Sequence, residues 1–259
     1  MILLFDIGNT NTHLGLARAD QVVRQINIST SAWLDERAER SVSRFVGDEA
    51  IEGIALCSVV PAVTPRAIAL CRARWNSPCR ELTSETVRGV GIDYPKPETI
   101  GPDRLANSLA VKIHFGAPAV VVDFGTAVTF DVVDAKGNYV GGIIAPGLAA
   151  MTEYLHEKTA LLPKIKIREV TRVIGKNTRQ AMLIGAVHGY RGLVRELIGE
   201  LKRELSCAHL PVIATGGYAR LIAAKLPEIA TVEPLLTLEG LRLFWSMAAA
   251  QKMSRRRRS

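Results

Sequence analysis

A short motif that occurs twice constrains the fold of this chain more than any other sequence feature. Each copy is a continuous apolar run that ends in Asp-x-Gly: residues 2–5 run into Asp6, and residues 119–122 run into Asp123, at an offset of 117 residues. A short run of this kind predicts a strand that is buried on both faces and delivers its aspartate at the carboxyl end. Because one copy opens each half of the chain, the sequence predicts two related α/β domains whose acidic loops face each other across a cleft.

The residues after each aspartate are typical of a phosphate-binding turn. Alignment of the two copies pairs Gly8 with Gly125 and Thr12 with Thr129. Glycine permits a tight turn, and the first copy continues with amides and hydroxyls but no basic side chain. A carboxylate repels a phosphate unless a divalent metal lies between them, so Asp6 indicates Mg²⁺ held directly or through water. For a single copy, a strand end followed by an Asx turn explains the pattern equally well.

Composition agrees with a globular protein and gives little support to a nucleic-acid-binding protein. The 259 residues are 48% hydrophobic, enough for two modest cores or one large core. Of the net charge of +8, four charges come from Arg255 to Arg258, and removing those four leaves +4. A terminal arginine run is usually a solvated tail, and aromatic residues at 5% are too sparse for base stacking. We therefore expect no specific nucleic-acid partner.

The cysteines and the N-terminus indicate a cytoplasmic protein. The four cysteines, Cys57, Cys71, Cys79 and Cys207, show no C-x-x-C spacing, so neither a zinc site nor a redox pair is predicted. The first residues lack a basic region ahead of an apolar segment, and no apolar stretch has the length of a membrane span. We expect reduced thiols, no signal peptide and no membrane partner.

The rest of the chain alternates predicted strands and helices. Strands are predicted at 13–17, 21–28, 54–60 and 211–215, and helices at 31–47, 65–75, 105–115, 178–205 and 236–252. These elements divide into an N-terminal half (1–117), a C-terminal half (118–253) and a basic tail (254–259). His188 lies on the apolar side of its helix, which is typical of packing, and receives no functional role.

A segment rich in glycine and proline, residues 89–104, connects the first half to a helix. Such long loops in a compact chain are usually functional or disordered, and the helix that follows favours order. Asp103 lies where that helix would begin. It can cap the helix or present a carboxylate to a ligand, and taken alone the cap is favoured.

Several blocks together resemble one family. They are Gly101-Pro-Asp103-Arg104, Gly141-Gly-Ile-Ile-Ala-Pro146-Gly147 and Ala214-Thr-Gly216-Gly217-Tyr218, in this order with the two Asp-x-Gly motifs and Thr178. The combination resembles type III pantothenate kinase, within the superfamily of acetate and sugar kinases, heat-shock chaperones and actin. The resemblance implies duplicated ribonuclease H-like (actin-like, ASKHA) domains with an interdomain cleft. The arginine tail lies outside every motif.

The resemblance implies an activity and assigns residues to it. The reaction would be ATP-dependent phosphorylation of pantothenate to 4'-phosphopantothenate, the first step of coenzyme A biosynthesis, with Asp103 as the proton acceptor. The positions that match ATP contacts are Asp6, Ile7, Gly8, Asn9, Thr10, Asn11, Thr12, His13 and Thr126. Those that match the pantothenate pocket are Tyr94, Gly101, Pro102, Asp103, Arg104 and Thr178.

The resemblance also implies ions and a partner. Asp123 matches a residue that binds a monovalent cation, K⁺ or NH₄⁺, although the residues alone fit magnesium equally well. Family members are dimeric, which allows Thr178 to come from the partner subunit. Two alternative functions stay open. One is another small-acid or sugar kinase, and the other is a noncatalytic accessory regulator of transcription, which only the basic tail supports. The presence of Asp6, Asp103 and Asp123 together favours an enzyme.

Overall fold

The structure, a computed structural model, describes residues 1–256 and their side chains as far as residue 249. The chain forms two compact units. The first contains residues 1–116, 137–140 and 235–259, and the second contains residues 117–136 and 141–234. Within residues 1–256, no helix combines the length and the apolar character needed to cross a membrane.

Strands and helices alternate along most of the chain. The strands are β1 (Ile2–Ile7), β2 (Asn11–Ala17), β3 (Val22–Ser29), β4 (Gly53–Ser58), β5 (Cys79–Glu81), β6 (Gly91–Ile92), β7 (Ala119–Phe124), β8 (Ala127–Val133), β9 (Asn138–Pro146), β10 (Val212–Thr215) and β11 (Thr231–Val232). The helices are α1 (Arg37–Val46), α2 (Thr64–Trp75), α3 (Pro102–Phe115), α4 (Leu148–Glu157), α5 (Thr178–Glu204), α6 (Ala219–Ala223) and α7 (Leu236–Arg256). Short 3₁₀ helices cover Thr30–Leu34 and Pro97–Thr99.

The two sheets repeat one strand order, which confirms the predicted duplicated fold. In the first the order is β3-β2-β1-β4-β5, and in the second it is β9-β8-β7-β10-β11. The repeated aspartates occupy matching places, because Asp6 of β1 lies beside Cys57 of the parallel strand β4, and Asp123 of β7 lies beside Thr215 of β10. The short strand β6 pairs with the first two residues of β9, which belong to the first unit.

The ladder register corrects one detail of the predicted repeat. His13 lies opposite Asp6 in the β1–β2 pair, whereas Thr129 lies opposite Asp123 in the β7–β8 pair. Thr129 is therefore the structural equivalent of His13, and the equivalent of Thr12 is Val128. The sequence alignment is wrong by one residue because the first turn has three residues between its strands and the second has two.

Two helices differ from their predicted bounds for local reasons. The helix predicted at 31–47 is a 3₁₀ turn followed by α1, separated at Asp35, whose backbone is extended and whose carboxylate accepts the Arg37 amide at 2.9 Å. This side-chain bond competes with continuation of the helix. Helix α3 begins three residues before its predicted start of 105, because Pro102 is suited to the first helical position.

Helix α7 belongs to the first unit, although the predicted halves had assigned its residues to the second. It packs against α3, where a Cβ added at Gly240 would clash with the Ala106 backbone. The Thr237 hydroxyl also donates a hydrogen bond to Asn107 Oδ1 at 2.8 Å, and both groups are buried. These contacts join residues about 130 positions apart, which no local sequence pattern indicates.

Candidate active site

The first acidic loop joins β1 to β2 through a tight turn. The Gly8 amide donates a hydrogen bond to the Asn11 carbonyl oxygen at 2.9 Å, and a Cβ added at Gly8 would lie 3.0 Å from that oxygen. Asn9, Thr10 and Asn11 are exposed at the tip of the loop. Their amide and hydroxyl groups are therefore accessible to a polar ligand, as a phosphate loop requires.

Two residues of the predicted ATP loop, Ile7 and Thr12, have fully buried side chains. The Thr12 hydroxyl lies 3.1 Å from the Thr30 hydroxyl and accepts a hydrogen bond from Trp33 Nε1 at 3.1 Å. The Thr30 hydroxyl in turn donates to the Gly8 carbonyl oxygen at 2.6 Å. The Ile7 and Thr12 side chains thus support the loop from inside, which limits any nucleotide contact that these residues make to their backbone atoms.

The Asp6 carboxylate has an uncharged side chain near each oxygen. His13 Nδ1 lies 3.4 Å from Oδ2, and the Cys57 thiol donates to Oδ1 at 3.5 Å. Burial lowers the pKa of His13, so the imidazole is neutral at pH 7. Burial, followed by the charges of Asp6 and Asp103, raises the pKa of Cys57 well above its usual value, so the thiol stays protonated. Neither neighbour neutralises the charge of Asp6.

Asp103 lies in the first turn of α3. Gly101 occupies the N-cap position and Pro102 begins the helix, so the N-cap role that the sequence favoured for Asp103 belongs to Gly101. Asp103 Oδ1 accepts the Arg104 amide at 2.9 Å. Burial raises the pKa of the Asp103 carboxyl, while this amide and the Arg104 charge oppose the rise. A partly buried carboxylate of raised pKa is suited to proton transfer.

The first unit brings Asp6 and Asp103 to the same thiol. Cys57 is fully buried at the end of β4, and the charges of both aspartates act on it. Residues 97 positions apart in the sequence therefore contribute to one electrostatic environment at the carboxyl end of β1 and β4. This is where ligands bind in open α/β sheets.

Arg104 and Tyr94 both contact the ring of Tyr139. The Arg104 guanidinium lies over the Tyr139 ring at 5.6 Å, and the Tyr94 ring contacts Tyr139 edge-on with centroids 5.9 Å apart. Tyr139 is only 1% exposed, whereas Tyr94 is 37% exposed. Two predicted substrate residues are therefore held by one buried aromatic side chain within the first unit.

In the second unit, two glycine-containing sequence blocks converge on the second acidic loop. The Gly147 amide donates to the Thr126 carbonyl oxygen at 3.1 Å, and a Cβ added at Gly147 would lie 2.6 Å from the Gly125 carbonyl oxygen. Gly216 has a φ of +90°, and its Cβ would lie 2.5 Å from Asp123 Oδ1. Only glycine fits these two positions, which explains both glycine-containing blocks.

Thr178 and a cavity of about 600 Å³ also lie in the second unit. Thr178 begins α5, after Asn177, whose side chain accepts the Gln180 amide at 3.0 Å as an N-cap. The cavity volume is typical of a small-molecule site. Its polar lining carries three basic side chains and one acidic one: Thr152, Glu153, Lys164, Lys166, Arg179 and Tyr218. This excess of positive charge suits an anionic ligand.

Comparisons with known proteins identify the family. The family model described as Type III pantothenate kinase matches residues 2–200. The chain belongs to the type III pantothenate kinase family. A type III pantothenate kinase of Akkermansia muciniphila is 46% identical over 243 residues, which cover 93% of this chain and 96% of the relative.

Solved structures of low sequence identity share the fold of this type III pantothenate kinase family member. MreB 5 of Spiroplasma citri bound to AMPPNP has a TM-score of 0.55 at 10% identity, covering 98% of each chain. A conserved Campylobacter jejuni protein described as a candidate Baf family transcriptional activator has a TM-score of 0.58 at 17% identity, covering 96% of this chain and 99% of the other. At these identities the likeness shows the fold alone.

The donor set of this type III pantothenate kinase family member fits a metal that the nucleotide helps to bind. Among residues 1–256, no cluster of three or more His, Cys, Asp and Glu side chains could hold a metal ion alone. Asp6 is nevertheless a hard oxygen donor, and the exposed groups of its loop lie beside it. Mg²⁺ commonly takes one or two carboxylates and completes its shell with phosphate and water.

Two residues of the site were missed by sequence reasoning. Cys57 could have been found, because it ends a buried apolar run as Asp6 does. Tyr139 gave no signal, since it lies in the hairpin between the second acidic loop and the Gly141-Gly142 pair. Its role depends on contacts with residues 35 to 45 positions earlier in the chain.

Proposed function

We propose that this protein transfers the γ-phosphoryl group of ATP to the primary hydroxyl of pantothenate, giving 4'-phosphopantothenate, the first step of coenzyme A biosynthesis. The observation that carries the proposal is the position of Asp103, which lies at the start of α3 beside Arg104 and whose charge, like that of Asp6, acts on the buried Cys57 thiol. Membership of the type III pantothenate kinase family supports the choice of acceptor.

Asp103 is the proton acceptor in this proposal. Phosphoryl transfer proceeds through a loose transition state, so the base mainly aligns the acceptor hydroxyl and removes its proton late. The carboxylate is fixed for this task by the Arg104 amide at 2.9 Å. Arg104 can hold the pantothenate carboxylate with a planar pair of donors, and the exposed Tyr94 contributes to the same pocket. Thr178 is a further acceptor-binding residue in the proposal, because it matches a family position that lines the pantothenate pocket.

The first acidic loop binds the nucleotide in the proposal. The exposed tip of this loop supplies donors to the nucleotide phosphates, and His13 Nδ1 lies 3.4 Å from Asp6 Oδ2. Thr126 lies in the turn between β7 and β8. Mg²⁺ bound to Asp6 and the nucleotide would neutralise charge that develops on the transferred phosphoryl group. Asp123 would hold K⁺ or NH₄⁺. The Gly216-Gly217 turn would contact the adenosine end, because glycine lets the backbone approach a ligand closely.

A turnover assay with a panel of acceptors tests the proposal. Purified protein with MgATP and KCl is incubated with pantothenate, acetate, glycerol or a hexose, and ADP and the phosphorylated product are measured. We expect turnover with pantothenate at least 100-fold above that with the other acceptors, about 3 kcal/mol of discrimination. Preference for another acid would indicate a different kinase of this fold. No turnover, together with sequence-specific DNA binding, would indicate the regulator.

Gly101 provides a test of how Asp103 is positioned. A Cβ at residue 101 would lie 2.5 Å from Asp103 Oδ1, so Gly101→Ala must displace the carboxylate. We expect turnover to fall by about 10- to 100-fold with little change in the KM for ATP, since small misplacements of a reacting group are costly. Gly101→Ser is the matched variant, because serine caps helices better than alanine. Activity in Gly101→Ser close to that of the wild type would contradict the steric explanation.

We also propose that the protein is a homodimer, with its interface on the second unit. Most of the large exposed apolar side chains of the described residues fall in one stretch of this unit: Ile144, Met151, Tyr154, Leu155, Leu161, Val173 and Ile174. Concentrated exposed apolar side chains mark interaction surfaces. A second copy of this chain is the partner that a self-complementary two-fold contact requires.

Glycines of α5 give a second reason to place the interface on the second unit. Gly185, Gly189, Gly192 and Gly199 lie on one helical face, and a Cβ at each would meet nothing within 4 Å. Each glycine inside a helix costs about 1 kcal/mol relative to alanine, and no contact within the chain requires it. Close approach of another helix explains them, as small residues allow backbones to come together.

Lysine substitutions on this surface should dissociate the dimer. We expect the wild type to sediment at twice the chain mass of 28.1 kDa, and Met151→Lys/Tyr154→Lys to sediment at the chain mass. Leu34→Lys is the matched control, because Leu34 is a similarly exposed apolar residue in the first unit. A monomeric wild type at micromolar concentration, or dissociation by Leu34→Lys as well, would rule out this interface.

A further inference from the structure

Tyr139 lies in the four residues, 137–140, through which the chain returns to the first unit. It is among the largest fully buried side chains and packs in the core that includes Leu105 and Leu109 of α3. A phenol in this position could serve packing alone. Its neighbours indicate a more specific role.

The ring of Tyr139 contacts two functional side chains from two different segments. The Arg104 guanidinium carbon lies 5.6 Å from the ring centroid, within the range of a cation–π contact. The Tyr94 ring meets it edge-on, with an interplanar angle of 61° and a centroid distance of 5.9 Å. The cation–π contact uses the electron-rich face of a ring. The edge-on contact sets the electron-poor edge of one ring against the electron-rich face of the other.

The backbone fixes where this ring stands. Tyr139 pairs with Ile92 in the β6–β9 ladder, and the Asp93 amide donates to the Tyr139 carbonyl oxygen at 2.9 Å. Tyr94 is the next residue after Asp93, whose amide makes that hydrogen bond. The ring, the Tyr94 segment and the start of α3 are therefore held in one arrangement, although they come from three separate parts of the chain.

We propose that Tyr139 is a positioning residue for the acid acceptor: its buried ring orients the Arg104 guanidinium and the Tyr94 ring for binding the substrate carboxylate. The inference rests on the proposed function, since it assigns Arg104 and Tyr94 to the acceptor. Tyr139 is too deeply buried to touch a substrate and acts through its neighbours. A planar guanidinium binds a carboxylate in a bidentate manner only in a correct orientation, which a ring beneath it selects.

Two substitutions separate orientation from packing. Tyr139→Phe keeps the ring, and Tyr139→Leu keeps apolar bulk but removes the ring face. We expect Tyr139→Leu to raise the KM for pantothenate by about 10- to 30-fold, with the KM for ATP within about two-fold of the wild type. Tyr139→Phe should stay within about three-fold for both substrates.

A double-mutant cycle shows whether the effect passes through Arg104. In the Arg104→Ala background, Tyr139→Leu should raise the KM for pantothenate by a smaller factor than in the wild type, because one of the two groups that it orients is absent. If Tyr139→Leu folds poorly, phenylalanines with increasing ring fluorination at position 139 keep the shape and weaken the negative ring face. The KM for pantothenate should then rise with each fluorine.

The outcomes are distinct. An equal rise in both KM values, additive effects in the cycle, or insensitivity to fluorination would overturn the positioning role and leave Tyr139 as a core residue. A wild type that does not phosphorylate pantothenate would refute the proposed function itself. A wild type that does so while Tyr139→Leu behaves normally would refute only this inference.

Discussion

Replacing Asp103 with asparagine is expected to lower turnover by about two to four orders of magnitude, the usual effect of removing a general base. The substitution keeps the shape of the side chain and an oxygen that can accept the Arg104 amide, so the start of α3 should be unchanged. Nucleotide affinity should be similar to that of the wild type. Steady-state kinetics and ATP titration measure the two effects, with the exposed carboxylate Asp48, changed in Asp48→Asn, as control.

The pH profile gives a second signature of the same residue. Burial raises the pKa of Asp103, so the active carboxylate is lost at a higher pH than an ordinary aspartate would be. We expect turnover to fall on the acid side with an apparent pKa above the ordinary aspartate value, and this limb to be absent from the residual activity of Asp103→Asn. Near-normal turnover in Asp103→Asn would leave Asp103 as a residue of the first helical turn only.

The substitution Asp103→Asn, which should lower activity, should not lower the stability of the fold. A carboxyl group whose pKa is higher in the folded state than in the unfolded state stabilises folding when protonated, and that contribution is lost as pH rises through the folded pKa. At neutral pH the ionised Asp103 therefore weakens the fold. We expect the Tm of Asp103→Asn at pH 7 to equal or exceed that of the wild type. A residue that lowers stability where it is needed for chemistry is typical of active sites.

Local features of the sequence were sufficient to predict the two acidic loops and most strands around them. The run of Ile2 to Phe5 is buried in β1 because it is apolar at every position, and the glycine after each aspartate is where the turn occurs. The start of α5 was predicted correctly, since it is marked by Asn177 before the first helical residue. Local chemistry determines these elements, so a local pattern can indicate them.

Features that depend on distant contacts could not be predicted in this way. Residues 137–140 join the first unit through pairing with β6, and α7 joins it through α3, so neither follows from order along the chain. The role of Tyr139 could not be predicted for the same reason, because its partners Tyr94 and Arg104 are distant in the sequence. The one-residue error in aligning Thr12 with Thr129 arose because the two turns differ in length by one residue. Strand pairing shows this difference, and sequence spacing does not.

Asp123 differs from Asp6 in its surroundings, although the two hold equivalent positions in their ladders. Cys57 is the neighbour of Asp6 in the adjacent parallel strand, whereas Thr215 is the neighbour of Asp123. The Asp123 carboxylate points toward Gly125 and Gly216, whose missing side chains leave backbone atoms close to it. Thr215 carries an oxygen donor at the position where Cys57 carries sulfur, and oxygen donors suit a hard cation.

Turnover should therefore require a monovalent cation that Asp123 binds, with sodium a poor replacement for potassium or ammonium. The measurement is a titration of KCl against a bulky organic chloride at constant ionic strength and saturating Mg²⁺. We expect activation of the wild type by at least 10-fold and no response in Asp123→Ala, because the substitution removes the only charged ligand proposed for the ion. Asp6→Ala should differ, with a weakened response to Mg²⁺ and a retained response to potassium. Full activity of the wild type without potassium or ammonium would contradict the assignment and leave Asp123 as a structural carboxylate or a second magnesium ligand.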